Sequence, residues 1–243
     1  MKDAARSAIN RLGGGPCSAS VFAKAWFNLV RRGPLAALRE AGVIFIHIPR
    51  TGGTSIARVL YGRNLPHVSL SFYRSLGDAD IAALPSIAIV RSPVDRIVSS
   101  YRFLRAGGTS LIASSRYDPV KLAQCGSFET FLEALARRPE LIRRYDALRP
   151  QTEYVTDRAG RVIVDCLYRF DEFASLNQDL SKCLGGAEIA LLNESTGEPV
   201  SISTDARRLV QQLYGADVKL YEDVCDAHGR VSLQQVFRSL RHV

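Results

Sequence analysis

The stretch Gly42-Val-Ile-Phe-Ile-His-Ile-Pro-Arg-Thr-Gly-Gly-Thr-Ser-Ile56 decides the fold. Residues 43–48 are a nearly continuous run of apolar, mostly branched side chains that stops at Pro49. Such a run reads as a strand buried on both faces, as in a parallel sheet. Gly52 and Gly53 then turn the chain, and Ile56, Val59 and Leu60 recur at helical spacing. The same grammar returns at Ser86-Ile-Ala-Ile-Val90, with a turn at Arg91-Ser92-Pro93 and a helix marked by Val94, Ile97, Val98 and Tyr101. Ser92, Pro93 and Asp95 predict the start of that helix: an N-cap, a proline at the first helical position and an acid at the third.

Further along, residues 106–127 read as a long loop, of the kind that serves as a lid or binding loop. A helix resumes at Phe128, Phe131, Leu132 and Leu135, and Asp157–Gly160 turns into an expected strand Val162-Ile163-Val164. A helix from about Asp171 to Leu184, a last short strand at Ile189–Leu192 and an amphipathic helix at Asp205–Tyr214 complete the pattern. Strands alternating with helices predict an α/β chain whose central sheet is mostly parallel and flanked by helices.

Upstream, Gly13-Gly14-Gly15-Pro16 breaks the chain, and Val21, Phe22, Ala25, Trp26, Leu29 and Val30 form one helical stripe. That stripe either docks on the domain or lies on a membrane surface. Residues 1–40 hold seven of the basic residues against two acidic ones, so much of the formal charge of +8 sits there. The expected organisation is a basic helical extension over 1–41 and one domain over 42–243. The 243 residues are 47% hydrophobic and 23% charged, which excludes wholesale disorder. Five cysteines, with no CxxC pair, argue against a disulfide framework or a zinc site. No run reaches membrane-spanning length and no signal peptide is evident, so the expectation is a cytoplasmic chain, with membrane association through the N-terminal segment.

A strand, a turn with two glycines and a helix start make a place for an anion. Glycines let the backbone approach closely, and a helix N-terminus presents free N–H groups at the positive end of its dipole. Thr51, Thr54 and Ser55 add hydroxyls and Arg50 a fixed charge. It is not a Walker A loop, which places lysine after the glycines; here the cation precedes them. Taken alone, the same residues also fit a plain strand–turn–helix connection. Arg91, at the end of the second strand, and Ser99, eight residues on, could hold a second phosphate. Equally, Arg91 could pair with a carboxylate and Ser99 simply sit in a helix.

These two stretches resemble the donor-binding motifs of sulfotransferases that use 3′-phosphoadenosine 5′-phosphosulfate (PAPS), in particular the carbohydrate branch of heparan and chondroitin enzymes and their bacterial relatives. Weaker similarity continues through Gln151–Tyr154, Val164–Asp171, Leu192–Ser195 and Tyr214–Tyr221. The resemblance implies a three-layer, P-loop-like fold and a transfer of sulfuryl from PAPS to an acceptor hydroxyl, without a metal. It places Arg50, Thr51, Gly52, Gly53, Thr54 and Ser55 at the 5′-phosphosulfate, and Arg91 and Ser99 at the 3′-phosphate. Most of the family has lysine where this chain has Arg50, the residue taken to stabilise the leaving phosphate.

The transfer needs a base, and histidine titrates nearest neutral pH. Of His47, His67, His228 and His242, His67 follows the first helix as the proposed base does in uronyl 2-O-sulfotransferases. His67 and Arg50 are thus the expected catalytic residues, with Glu129, Glu153 and Asp165 as alternative bases. The expected partner is a carbohydrate or glycolipid acceptor, with no nucleic acid. Two other readings stay open: a non-catalytic nucleotide- or polyanion-binding protein of the same fold, and a P-loop-type kinase.

Overall fold

The computed structural model describes residues 32–107, 126–183 and 200–226. The expected helix at 21–30, the strand at 189–192, most of the loop at 106–127, and His228 and His242 lie outside them.

Three strands, β1 (Ile44–Ile46), β2 (Ser86–Val90) and β3 (Cys166–Arg169), form a parallel sheet in the order β1-β2-β3. Between β1 and β2 run α2 (Gly53–Tyr61), α3 (Leu70–Arg74) and α4 (Ala79–Ala83), and α1 (Arg32–Ala41) precedes them. Between β2 and β3 run α5 (Pro93–Arg105), α6 (Phe128–Arg137), α7 (Glu140–Arg144) and α8 (Thr152–Val155). A short 3-10 turn leads from β3 into α9 (Phe173–Cys183), and α10 (Thr204–Leu213) and α11 (Gly215–Asp226) follow. The α/β expectation therefore holds as a small parallel sheet with helices packed on it.

Strands β1 and β2 are buried at every residue, which explains their unbroken apolar sequence. The outer side of β1 is occupied by the Tyr61 hydroxyl, which accepts from the Phe45 N–H at 2.7 Å and donates to the Val43 carbonyl at 2.9 Å. Pro34 stands near the start of α1, where a missing N–H is tolerated. Leu35 and Leu38 of that helix, the end of the expected extension, are buried in the same core as the sheet.

The third strand does not lie where Val162-Ile163-Val164 led one to expect. Val162 instead makes an isolated antiparallel bridge to Thr156 and is 47% exposed. The Asp157 carboxylate accepts from the backbone N–H groups of Ala159 and Arg161 and so ties a tight turn before it. The Asp165 carboxylate then accepts from the Ser86 N–H and hydroxyl at 2.8 and 2.6 Å, which fixes where β3 begins. Ser92 also departs from expectation: its side chain makes no capping bond, although Pro93 does open α5. The Ser92 carbonyl alone starts the helix, accepting from Arg96 N–H at 2.8 Å.

Among the described residues, two apolar clusters form the core. One joins the sheet with Leu38, Ile56, Leu70, Ile81, Leu176 and Leu220. The other is helical and joins Ile97, Tyr101 and Leu104 of α5 to Phe131 and Leu135 of α6 and Val210 of α10. Each such side chain contributes roughly 1.5–3 kcal/mol on full burial. A buried polar seam runs beside them. The Arg96 guanidinium donates to the carbonyls of Pro49 at 3.1 Å and Arg149 at 2.7 Å, and lies 3.9 Å from the Asp217 carboxylate. Asp217 in turn accepts from the N–H groups of Gln151 and Thr152 and from the Thr152 hydroxyl. Every partner in this seam is hydrogen-bonded, as burial requires.

Candidate functional site

The turns that leave β1 and β2 meet at the carboxyl end of the sheet, the usual ligand side of a parallel sheet. In the first turn, the Thr51 hydroxyl donates to the Ile48 carbonyl at 2.9 Å. Thr51 thus spends its hydroxyl on the shape of the turn. Gly52 has φ 74°, a region that favours glycine. Gly53 opens α2 with no room for a side chain: a Cβ there would lie 2.3 Å from the His47 ring carbon Cδ2. Ser55 is buried and Thr54 half-buried in the first turn of α2.

Arg50 has φ 69° and is the one non-glycine residue with positive φ among the described residues. That conformation costs about 1–2 kcal/mol for an ordinary side chain. Its guanidinium reaches across to α5, where Nε and Nη2 donate to the Ser99 hydroxyl at 3.1 and 3.0 Å. It also stacks 4.8 Å from the Phe103 ring centre. Arg91 comes from the second turn. Its Nη1 donates to the Arg50 carbonyl at 3.4 Å, and its guanidinium stacks 4.5 Å from the Phe170 ring centre. The Gln151 side-chain amide clamps the Arg91 backbone, accepting from its N–H at 2.9 Å and donating to its carbonyl at 2.8 Å.

The electrostatics of this pair are unusual. Among the described residues, neither Arg50 nor Arg91 has a carboxylate within ion-pair distance. Burial depresses the Arg50 pKa, and the charges of Arg91 and Arg96 depress it further. Burial likewise depresses that of Arg91, with Asp95 opposing and Arg102 adding to the effect. Guanidinium groups stay charged under such shifts. Two half-buried cations are therefore held beside the turn and α5, with no described carboxylate within ion-pair distance of either and Asp95 acting on Arg91 only from further away.

His67 Nδ1 lies 2.8 Å from the His47 carbonyl. A carbonyl only accepts, so Nδ1 carries the proton and Nε2 of the neutral ring holds the lone pair. The His47 and His67 rings meet edge to face, 4.4 Å apart. His47 is 7% exposed, and its Nδ1 is buried with no hydrogen-bond partner among the described residues. Burial, and then the nearby His67, depress the His47 pKa well below the usual 6.5. Burial raises the Asp146 carboxyl pKa, opposed by Arg149 and His67, which places Asp146 within electrostatic reach of His67.

The structure thus brings Arg50 to Ser99 and Arg91 to the Arg50 carbonyl, and it seats the His47 ring against Gly53 and His67 against His47. The alternative bases fall elsewhere. Asp165 bonds to Ser86, at the opposite end of the sheet. Glu153 is bonded to Arg143 at 2.8 Å and Glu129 lies in the first turn of α6. The sequence reading did not single out Phe103, Phe170 or the Gln151 clamp. Phe103 stands one turn after Ser99 on α5 and was legible from that spacing; the other two depend on which loops the sheet brings together.

Comparison with protein-family models, with curated proteins and with solved structures finds no match to the chain. Among the described residues, no helix is long and apolar enough to cross a membrane.

Proposed function

We propose that the chain is a sulfotransferase of P-loop-like fold that takes a sulfuryl group from PAPS and delivers it to an acceptor hydroxyl, on a carbohydrate or glycolipid. The observation that carries this reading is that the Arg50 guanidinium sits on the Ser99 hydroxyl while Arg91 reaches the Arg50 carbonyl, with no described carboxylate within ion-pair distance of either cation. Half-buried cations with no ion-pair partner among the described residues are costly, and a polyanionic ligand offsets that cost. The donor has two anionic ends, and the site offers two matching regions. The turn at 51–55 and the start of α2 receive the 5′-phosphosulfate, while Arg91 and Ser99 receive the 3′-phosphate.

His67 acts as the base. Its Nε2 takes the acceptor's hydroxyl proton as the oxygen attacks sulfur, and the bond from sulfur to the 5′-phosphate oxygen breaks in the same step. The His47 carbonyl keeps the His67 ring in the tautomer this requires. Charge gathering on the 5′-phosphate faces the N–H groups of the turn and the dipole of α2. The N-terminal segment would bring the cytoplasmic enzyme to a membrane-borne acceptor.

Thermal unfolding with 3′-phosphoadenosine 5′-phosphate, AMP and ATP tests the donor site. A ligand at about 100 times its Kd adds about 2.7 kcal/mol, or roughly 5 to 10 °C for a chain of this size. A shift confined to the 3′-phosphorylated nucleotide is expected, together with a sulfated hydroxyl product that His67→Ala abolishes. A shift with ATP alone would favour a kinase. Binding without any sulfated product across sugar acceptors would leave a nucleotide-binding protein.

A further inference from the structure

We infer that Arg50 belongs to the 3′-phosphate pocket, and that with Arg91 and the Ser99 hydroxyl it makes the site selective for 3′-phosphorylated nucleotides. This rests on the donor reading above, but it assigns Arg50 differently from the resemblance, which puts position 50 at the sulfuryl group.

Three observations converge on it. The backbone at Arg50 sits in the left-handed region, and its side chain crosses to α5. There, two nitrogens of one guanidinium fork onto the Ser99 hydroxyl, the group expected to hold the 3′-phosphate. The Arg91 guanidinium reaches the Arg50 backbone carbonyl, and its charge acts on the Arg50 guanidinium, so the second cation flanks the same turn. Each guanidinium is backed by a ring, Phe103 for Arg50 and Phe170 for Arg91. Stacking holds both planes while leaving their edges for hydrogen bonds.

The chemistry suits a phosphate monoester. Such a group carries close to two charges and three acceptor oxygens. Two guanidinium edges and one hydroxyl match that count. A lysine at position 50 would bring one point charge and no fork, so arginine here is a functional choice for planar, two-toothed recognition. The two Arg50 nitrogens that fork onto Ser99 are the donors that the phosphate would take.

Calorimetric titration of the full-length chain with 3′-phosphoadenosine 5′-phosphate and with AMP decides the matter, using wild type, Arg50→Ala, Arg50→Lys and Ser99→Ala. The reading is the ratio of the two Kd values. Loss of one charge-assisted contact is worth about tenfold or more. Arg50→Ala and Ser99→Ala should each lower the ratio by roughly that factor while leaving AMP affinity within about threefold. Arg50→Lys should lower it less, and it serves alone if Arg50→Ala does not fold. If the Arg50 variants weaken both nucleotides equally, Arg50 acts at the shared 5′ end; the inference then fails and the donor reading stands. A wild-type chain that binds neither nucleotide overturns both.

Discussion

His47 is buried beneath the glycine turn, with one ring nitrogen lacking a hydrogen-bond partner among the described residues and Gly53 pressed against the other side of the ring. Its depressed pKa has a consequence for stability. Below about pH 6.5 the unfolded chain takes up a proton at this residue that the folded chain refuses. The unfolded state then binds more protons, so stability falls as pH drops from the unfolded value near 6.5 toward the lower folded value. The slope from this one group reaches at most about 1.4 kcal/mol per pH unit. Urea unfolding between about pH 7.5 and 5.5 should therefore show a steeper loss in wild type than in His47→Gln. Equal slopes would mean that His47 charges freely in the folded state. At this scale, much of the candidate site was legible. Arg91 and Ser99 stand out by their spacing after a strand, and Gly52 and Gly53 by the turn they permit. The positive φ of Arg50 was not, because arginine carries no signal for that conformation.

At the scale of elements, β1, α2, β2 and α5 follow from strong apolar periodicity and from Pro93. Strand β3 does not: Cys166-Leu-Tyr-Arg169 is a less apolar run than the Val162-Ile163-Val164 before it, of which Val162 is exposed and Val164 buried. What locates β3 is a pair of carboxylates, Asp157 and Asp165, that bond to backbone N–H groups. Such bonds leave little trace in hydropathy. Helix α11 was read only through a weak similarity, yet its Asp217 caps α8 and neutralises Arg96. Removing that carboxylate leaves a buried arginine uncompensated. Asp217→Ala should lose about 3–5 kcal/mol, visible as a lower urea midpoint, and Asp217→Asn should lose less because it keeps an acceptor. A surface-like loss of under about 1 kcal/mol would show that Arg96 is satisfied by its two carbonyls alone. Through Arg96 the same change should loosen Pro49, and with it the turn that carries Arg50.

For the whole molecule, the sheet-centred and helical cores divide the labour. The first holds the glycine turn and the histidine pair. The second holds α5, which carries Ser99 and Phe103. A site built on the junction depends on both, and the polar seam from Pro49 through Arg96 to Asp217 is what ties them. The sequence implied a parallel sheet clothed in helices but not this partition, since it rests on contacts between α5, α6 and α10 that are distant along the chain. One further consequence lies at the rim of the sheet. Among the described residues β1 is an edge strand, and edge strands invite pairing with other copies of the same chain. The Tyr61 hydroxyl stands where a neighbouring peptide group would, acting as a single rung of a missing ladder. Tyr61→Phe should leave a buried donor and acceptor unmet, lose about 1–3 kcal/mol, and raise light scattering on mild heating. Unchanged scattering would show that other residues guard this edge. If the prediction holds, one phenol lets the protein end its sheet in solution without recruiting another molecule to finish it.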